Sequence, residues 1–333
     1  MSAAWELREE DVEFFERELN DFVPERVYDV HAHLYREAFW EGQAPEGVKA
    51  GPSDISLEVY REYMQWILPG REVHGLHLPF PTVNPIDMGP PNEWVSQQVK
   101  KDPLARGHFM VRPTDDPEWV RDEVRRLGLR GLKPFSTYSN VHPPNLAELP
   151  DYLPEPLMAV GNEEAWTVTL HMTRPRSAAD PSNIHWIRTY CQKYPHVNLI
   201  LDHSARGFNP YHAVQGLQQL MGLSNLWADT SVNCSPLATI ACLRCLGPKR
   251  VMYASDFCCS HIRGTNLGVN DTFLWLDEQL PIWDGGDWTG PIRPVLIGLE
   301  NLRAVKAAFW TLGLGNRAIE QYFWENAAGL FGL

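Results

Sequence analysis

Eight short runs rich in Val, Ile, Leu and aromatic residues recur along the chain, and a stretch of helical character follows each. They are RVYDVH (26–31), EVHGLHL (72–78), GHFMVR (107–112), RGLKPF (130–135), WTVTLHM (166–172), VNLILDH (197–203), NLWADTS (225–231) and RVMYASD (250–256). The helical stretches, such as PEWVRDEVRRLG and PSNIHWIRTYCQKYP, open on Pro, Asp or Ser and close on Gly or Pro, as helix boundaries do. Strands joined through helices lie parallel. Eight such units predict an α/β protein, a (β/α)8 TIM barrel. Patterns at 5–20 and 316–331 predict extra N- and C-terminal helices outside the repeat. The 333 residues suit one such domain spanning 1–333.

The long connections are 34–53, STYSNVHPPNLAELPDYLPEP after the fourth strand, and the Trp-rich 257–296 after the eighth. All three leave the C-terminal ends of strands, which form the catalytic face of such a barrel. They are expected to wall a pocket. For 257–296 the competing reading is an oligomer contact, because interfaces favour aromatic residues.

A formal net charge of −13 argues against nucleic acid or an anionic membrane surface as partner, since both reward Lys and Arg. The N-terminal MSAAWELREEDVEFFEREL is acidic and amphipathic, unlike a signal peptide, and no run of about 18 apolar residues occurs. A cytoplasmic protein is the expectation. Six cysteines include Cys242 and Cys245 in ACLRC and the adjacent Cys258 and Cys259, with no second C-x-x-C to complete a structural zinc site. Unpaired, reduced thiols are expected.

VYDVHAHLYRE places His31 and His33 one residue apart at the end of the first run. On a strand both imidazoles point to one face. His171 lies near the end of the fifth run, His203 ends the sixth and Asp256 ends the eighth. Alternation puts Thr167, Thr169 and His171 on one face, with Val168 and Leu170 on the helix side. Closure of the barrel sets Asp256 beside His31 and His33, with the fifth strand contributing from across. A single histidine is more often an ordinary core or surface residue, but five such residues at one rim describe a site. Imidazoles and a carboxylate suit a borderline divalent ion such as zinc, with a position left for water or substrate.

DVHAH, LH at 170–171, DH at 202–203, ASD at 254–256 and the closing EQYFWENAAGLFGL together resemble the amidohydrolase superfamily. The branch resembled contains aminocarboxymuconate-semialdehyde decarboxylase, resorcylate-type decarboxylases and lactone hydrolases. The resemblance runs from about residue 26 to the end. It implies a barrel holding one divalent metal, Zn2+ or Mn2+. His31, His33, His171 and Asp256 would be the ligands, and His203 would activate or orient the metal-bound water. The chain departs from many relatives in carrying HSAR after the sixth-strand histidine and MTR after the fifth, which brings arginines to the mouth. Lys133 in GLKPF matches a lysine that related barrels carboxylate to bridge two metals. Pairing with a buried acid such as Asp29 is the reading preferred on charge grounds.

The chemistry expected is hydrolysis, in which a metal-bound water attacks the carbonyl of a lactone, amide or ester. His203 takes the proton and Asp256 passes it to the leaving group. The alternative is non-oxidative decarboxylation of a small carboxylic acid with the same residues, ahead of a hydratase or a non-catalytic barrel. Arg112, Arg174, Arg206 and Arg263 follow strands and could clamp an anion, with at least two of them expected to be ordinary loop arginines. Lys133 and His261 complete the substrate-binding candidates. A small anionic substrate and a homodimer are the expected partners. A covalent role for Cys258 or Cys259 lacks a neighbouring base.

Overall fold

The structure, a computed structural model, describes residues 5–82, 87–284 and 290–333. Each of the eight expected strand positions carries a strand: β1 (Arg26–Arg36), β2 (Glu72–Pro79), β3 (Phe109–Val111), β4 (Gly131–Pro134), β5 (Thr167–Leu170), β6 (Asn198–Leu201), β7 (Leu226–Asp229) and β8 (Val251–Met252). The ladders from β3 to β8 form one parallel six-stranded sheet in sequential order. β1 and β2 form a second parallel ladder, extended at one edge by the short strand Arg106–Gly107 that leads into β3. The backbone amide of His108 donates to His77 O at 3.1 Å between the two sheets. At the other edge, Val30 N donates to Tyr253 O (3.1 Å), Asp256 N to His31 O (2.7 Å) and His33 N to Phe257 O (2.8 Å). Every edge from β1 round to β8 is thus hydrogen-bonded to a neighbour, as backbone groups removed from water must be.

Local sequence sets the helices between them. Pro117, Pro181, Pro210 and Pro236 begin helices Pro117–Leu127, Pro181–Lys193, Pro210–Gln219 and Pro236–Cys245, where a missing N–H costs nothing. Asp116, Asp180 and Asn209 cap three of them by accepting from the backbone of Trp119, Ser182 and Tyr211. Val27, Ala32, Leu34, Val168, Leu170, Leu199 and Leu201 pack into the large core shared with the helices. Tyr28, Val30, Leu76, Leu78, Ile200 and Met252 form a separate cluster on the opposite face of the strands, against Ala327 and Phe331 near the C-terminus. Gly131 is required for closeness: a Cβ there would lie 1.8 Å from Thr167 O.

The terminal helices are present. Glu9–Phe14 continues through Phe15–Leu19, and three consecutive pieces cover Asn316–Phe331. Asp11 of the first is fully buried and takes the guanidinium of Arg263 at 2.8 Å and the Leu296 amide at 3.2 Å, while Arg263 also donates to Glu6 O at 2.7 Å. The N-terminal helix therefore straps down the connection after β8. Within that connection lies a hairpin absent from the sequence reading, β9 (Gly264–Val269) and β10 (Thr272–Asp277). The remainder of the expected Trp-rich wall at 285–289 falls outside the described residues, as do Met1–Ala4 of the N-terminal pattern. No helix among the described residues is long and apolar enough to cross a membrane, and all six cysteines are unpaired.

Two fully buried histidines lie on strands and the segment between them. His77 meets the Tyr60 ring at 4.9 Å, and His108 is held between the hydroxyls of Thr167 (2.6 Å) and Thr169 (3.0 Å). Burial pushes both imidazoles down to about 3. The unfolded chain takes up protons near the ordinary histidine value of 6.5 that the folded chain refuses until about 3. Their contribution is thus fully present above pH ~6.5 and falls by up to about 1.4 kcal/mol per histidine per pH unit below it. Thermal melts from pH 7.5 to 4.5 are expected to show a falling Tm, with a shallower fall in His77→Phe; a flat profile would contradict the assignment. Asp11→Asn, which strands the Arg263 charge, is expected to lose about 3–5 kcal/mol in urea unfolding, and the Asp11→Leu/Arg263→Met pair to recover most of it.

Candidate functional site

β1 does not alternate strictly. Its register against β2 shifts between Asp29 and Ala32, so Val27 and Asp29 face the helices whereas His31 and His33 face the other way. Such a bulge re-aims side chains at the end of a strand. The result matches the shared face expected of the two histidines. Their Nε2 atoms stand 3.2 Å apart, and Asp256 Oδ1 lies 3.5 Å from the first and 3.3 Å from the second.

The outer nitrogens determine what those Nε2 atoms are. His33 Nδ1 is 3.0 Å from Pro79 O, which can only accept, so Nδ1 carries the proton. His31 Nδ1 is 3.0 Å from Asp229 Oδ2, and the same reasoning applies. Two Nε2 lone pairs therefore face one another with a carboxylate oxygen beside them. Three acceptors converge there, with the Lys133 ammonium 3.4 Å from His31 Nε2, and imidazole nitrogen with carboxylate oxygen is a donor set that suits a divalent ion. Asp229 also accepts from the His203 amide (2.8 Å), the Ser231 amide (3.0 Å) and Ser231 Oγ (2.7 Å). Ser231 Oγ in turn receives His203 Nδ1 at 2.8 Å. The inner nitrogen of His203 then accepts from His171 Nδ1 at 3.1 Å, which leaves His171 Nε2 with a lone pair.

Three overlapping groups of donor atoms lie within 4.8 Å of one another: His31, His33 and Asp256; His31, His203 and Asp229; and His171, Asp202 and His203. His171 falls with His203 and Asp202 rather than with the other three expected ligands. The hydrogen bonds from His31 and Ser231 and the facing histidines hold Asp229 down at about 2, although burial pushes it up. Burial, reinforced by the charge of Lys133, lowers His31 to about 3 and keeps it neutral.

The sixth strand ends before its histidine. Leu201 closes the ladder, and beyond Asp202 the residues His203, Ser204, Ala205 and Arg206 follow with φ of 56°, 55°, 58° and 51°. This turn of left-handed helix costs roughly 1–2 kcal/mol per residue for side chains with a Cβ. It places His203 and Arg206, three residues apart, on one side, where both line the cavity. Asp256 is likewise left-handed, with φ 50°. Strained backbone of this kind gathers at functional sites.

The cavity, about 400 Å3, is lined by the site residues and by Phe80, Pro81, Phe135 and Pro144, with Thr137, Asn145, Thr173 and Cys259 among the remainder. Lys133 lines it too, but its partner is Asp202 at 2.5 Å, with His31 Nε2 at 3.4 Å. This corrects the expected pairing with Asp29, which faces the helices and is taken up by Ser255 N (2.9 Å), His31 N (3.0 Å) and Tyr60 OH (2.8 Å). Four arginines were expected at the mouth, and Arg206 alone of them lines the cavity. Arg112 pairs with Asp115 at 2.9 Å, Arg174 with Asp180 at 2.8 Å, and Arg263 is buried on Asp11. His261 is also corrected: its ring stacks on Trp5 at 5.1 Å and its Nε2 donates to Tyr63 O at 3.0 Å, away from the cavity. Asp202, Asp229 and Ser231 were missed. ADTS ends the seventh strand as ASD ends the eighth, and that parallel was the available signal.

A family model described as amidohydrolase matches residues 28–333. Among solved structures, a putative 2-pyrone-4,6-dicarboxylic acid hydrolase from Pseudomonas putida is 18% identical with TM-score 0.59, covering 93% of this chain and 98% of that one. An amidohydrolase from Burkholderia multivorans with bound HEPES is 12% identical with TM-score 0.61, covering 92% and 99%. A 2,6-dihydroxybenzoate decarboxylase in complex with 2,6-dihydroxybenzoate is 14% identical with TM-score 0.55, covering 93% and 100%. No curated protein matches the chain. The structural likenesses speak to the fold, and the family match runs from within β1 to residue 333, so the chain belongs to the amidohydrolase family of enzymes.

Proposed function

We propose that the protein is a metal-dependent hydrolase acting on a carbonyl group, as in a lactone, amide or ester, of a small anionic substrate. The observation that carries this reading is the pair of His31 and His33 Nε2 lone pairs, 3.2 Å apart and both facing Asp256. The fold is read as one closed (β/α)8 barrel domain over 1–333, supported by the hydrogen bonds between β1 and the residues after β8. His31, His33, His171 and Asp256 would hold the ion, zinc by the softness of imidazole nitrogen or else manganese. Bound there, a divalent ion lowers the pKa of water to about 7 and polarises a substrate oxygen.

The chain's own groups then divide the remaining work. His203 takes the proton of the attacking water at Nε2, exchanging its contact with His171 for the water. The chain from its Nδ1 through Ser231 Oγ to Asp229 steadies the imidazolium that results. Asp256 carries the proton to the leaving group. Asp229 fixes the orientation of His31, the carboxylate support usual behind a ligating histidine. Phe80, Phe135 and the prolines shed water from the cavity.

Decarboxylation of a small carboxylic acid is the second reading. It is favoured by the aromatic wall, which suits a planar acid such as the one bound by the dihydroxybenzoate decarboxylase that shares the fold. A homodimer is part of the proposal, supported by Leu267, Val269 and Leu274, which are exposed on one face of the hairpin. The six unpaired cysteines support a reducing, cytoplasmic setting.

Elemental analysis is expected to give about one divalent ion per chain, lost in His31→Ala and in Asp256→Ala. A wild type that takes up none on reconstitution would overturn the reading. On a substrate found by screening, His203→Gln is expected to lower kcat by about 10²–10⁴ while retaining the ion. Oxygen-18 from water entering the product supports hydrolysis, and release of carbon dioxide without it supports the decarboxylase.

A further inference from the structure

Leu132 of β4 packs into the core shared with the helices, and strand alternation turns Lys133 the other way, into the cavity. A buried ammonium needs a partner, and Lys133, only 1% exposed, takes Asp202 at 2.5 Å. That pair does not exhaust it, because an ammonium carries three N–H donors. Nζ also lies 3.4 Å from His31 Nε2 and 5.3 Å from the centre of the Phe135 ring. The proton of His31 is on Nδ1, where it faces Asp229, so in this contact Nε2 accepts and Lys133 donates.

His31 Nε2 is the same lone pair that faces His33 and Asp256. A neutral imidazole has one acceptor nitrogen, and a divalent ion bound to it leaves nothing for an N–H to hold. The position of the ammonium is set from the sheet, by β4 on one side and by Asp202 just beyond β6 on the other. Asp202 is itself buried, and its second oxygen has no hydrogen-bond partner among the described residues, so Lys133 is its main tie. Burial lowers His31, His171 and His203, and the charge of Lys133 adds to the effect at each of them. Lys133 thus bears on the donor set as a cation already in place.

We propose that Lys133 is a built-in cation that occupies the His31 corner of the site in the metal-free chain, so that a divalent ion binds only by taking this nitrogen from it. The ion is then held more loosely than the histidines and Asp256 alone would hold it, because like charges a few ångströms apart repel even where the protein screens them. The metal-dependent reading above supplies the competitor, and the contact between Lys133 and His31 stands without it. The same geometry keeps the lysine unmodified. A carbamate on Nζ would set an anion against Asp202, whereas the ammonium is what Asp202 is buried with.

The test is zinc affinity, measured on the full chain by competition with a chromogenic chelator, for the wild type, for Asp202→Asn and for the double variant Lys133→Met/Asp202→Asn. The double variant removes both charges together and strands neither. It is expected to bind zinc about tenfold more tightly than the wild type, and Asp202→Asn, which leaves the ammonium uncompensated, to bind it more weakly. Binding by the double variant no tighter than by a zinc-binding wild type would overturn the proposal and leave the metal reading standing. If the wild type takes up no zinc and the double variant does, the ammonium excludes the ion outright, and only the metal-dependent reading of the wild type fails. If neither takes up zinc, both fall. A second readout needs no metal: the nitrogen-15 resonance of His31 Nε2 in the metal-free chain is expected to move toward that of an imidazole nitrogen without a hydrogen bond when Lys133 is replaced. An unmoved resonance would overturn the placement of the ammonium.

Discussion

The site depends on one carboxylate that sequence position does little to advertise. Asp229 is fully buried at the end of β7 and receives His31, Ser231 and the backbone of His203 and Ser231. Each of these hydrogen bonds removes a freedom. The His31 ring is turned so that its lone pair faces His33, and the Ser231 hydroxyl is turned so that it can hold His203. With Asp229 neutral or displaced, both rings could adopt the other tautomer and the convergence of acceptors would dissolve. Asp229 thus ties the half of the site proposed to hold an ion to the half proposed to move a proton, although it belongs to the ordinary ladder of the sheet.

The backbone at the rim is the complementary constraint. Strand β6 ends at Leu201 and β8 at Met252, and beyond them His203 to Arg206 and Asp256 take left-handed conformations that a side-chain-bearing residue resists. The sheet below is rigid enough to impose them. What the strain yields is direction: His203, Arg206 and Asp256 enter the cavity from positions that a continued strand would have sent alternately inward and outward. Behind them Phe208 stacks on the His203 ring at 5.3 Å and meets Phe273 and Trp275 of the hairpin at 5.0 Å. The hairpin therefore buttresses the histidine.

The strands were legible in the sequence because each is a short, doubly buried run bounded by helix caps, and this pattern survives without knowledge of tertiary contacts. The rim residues were legible as a group for the same reason, since the end of a strand is a place the pattern marks. What the pattern lacks is pairing. Nothing in GLKPF distinguishes Asp202 from Asp29 as the partner of Lys133, because one bulge in β1 decides which carboxylate faces the ammonium. Nor does proximity to a strand end reveal that Arg263 is consumed by Asp11, which lies at the other end of the chain. Arg112, Arg174, Arg206 and Arg263 look alike in sequence and differ only in which of them found an acid. The hairpin was hidden by exposed apolar residues that alternate weakly and sit within a segment read as loop.

The strap between Asp11 and Arg263 spans 252 positions, and the bond from His31 to Asp229 spans 198. Contacts of that range form late, after the entropy of a large loop has been surrendered. A nascent chain emerging from the ribosome can build most of its βα units before either contact exists. It cannot fasten Arg263 and the Leu296 amide to Asp11 until the segment near residue 296 arrives to meet the helix Glu9–Phe14. The cavity, whose lining runs from His31 to Cys259, is consequently assembled late, and a chain interrupted before β8 would carry most of the sheet without a working pocket.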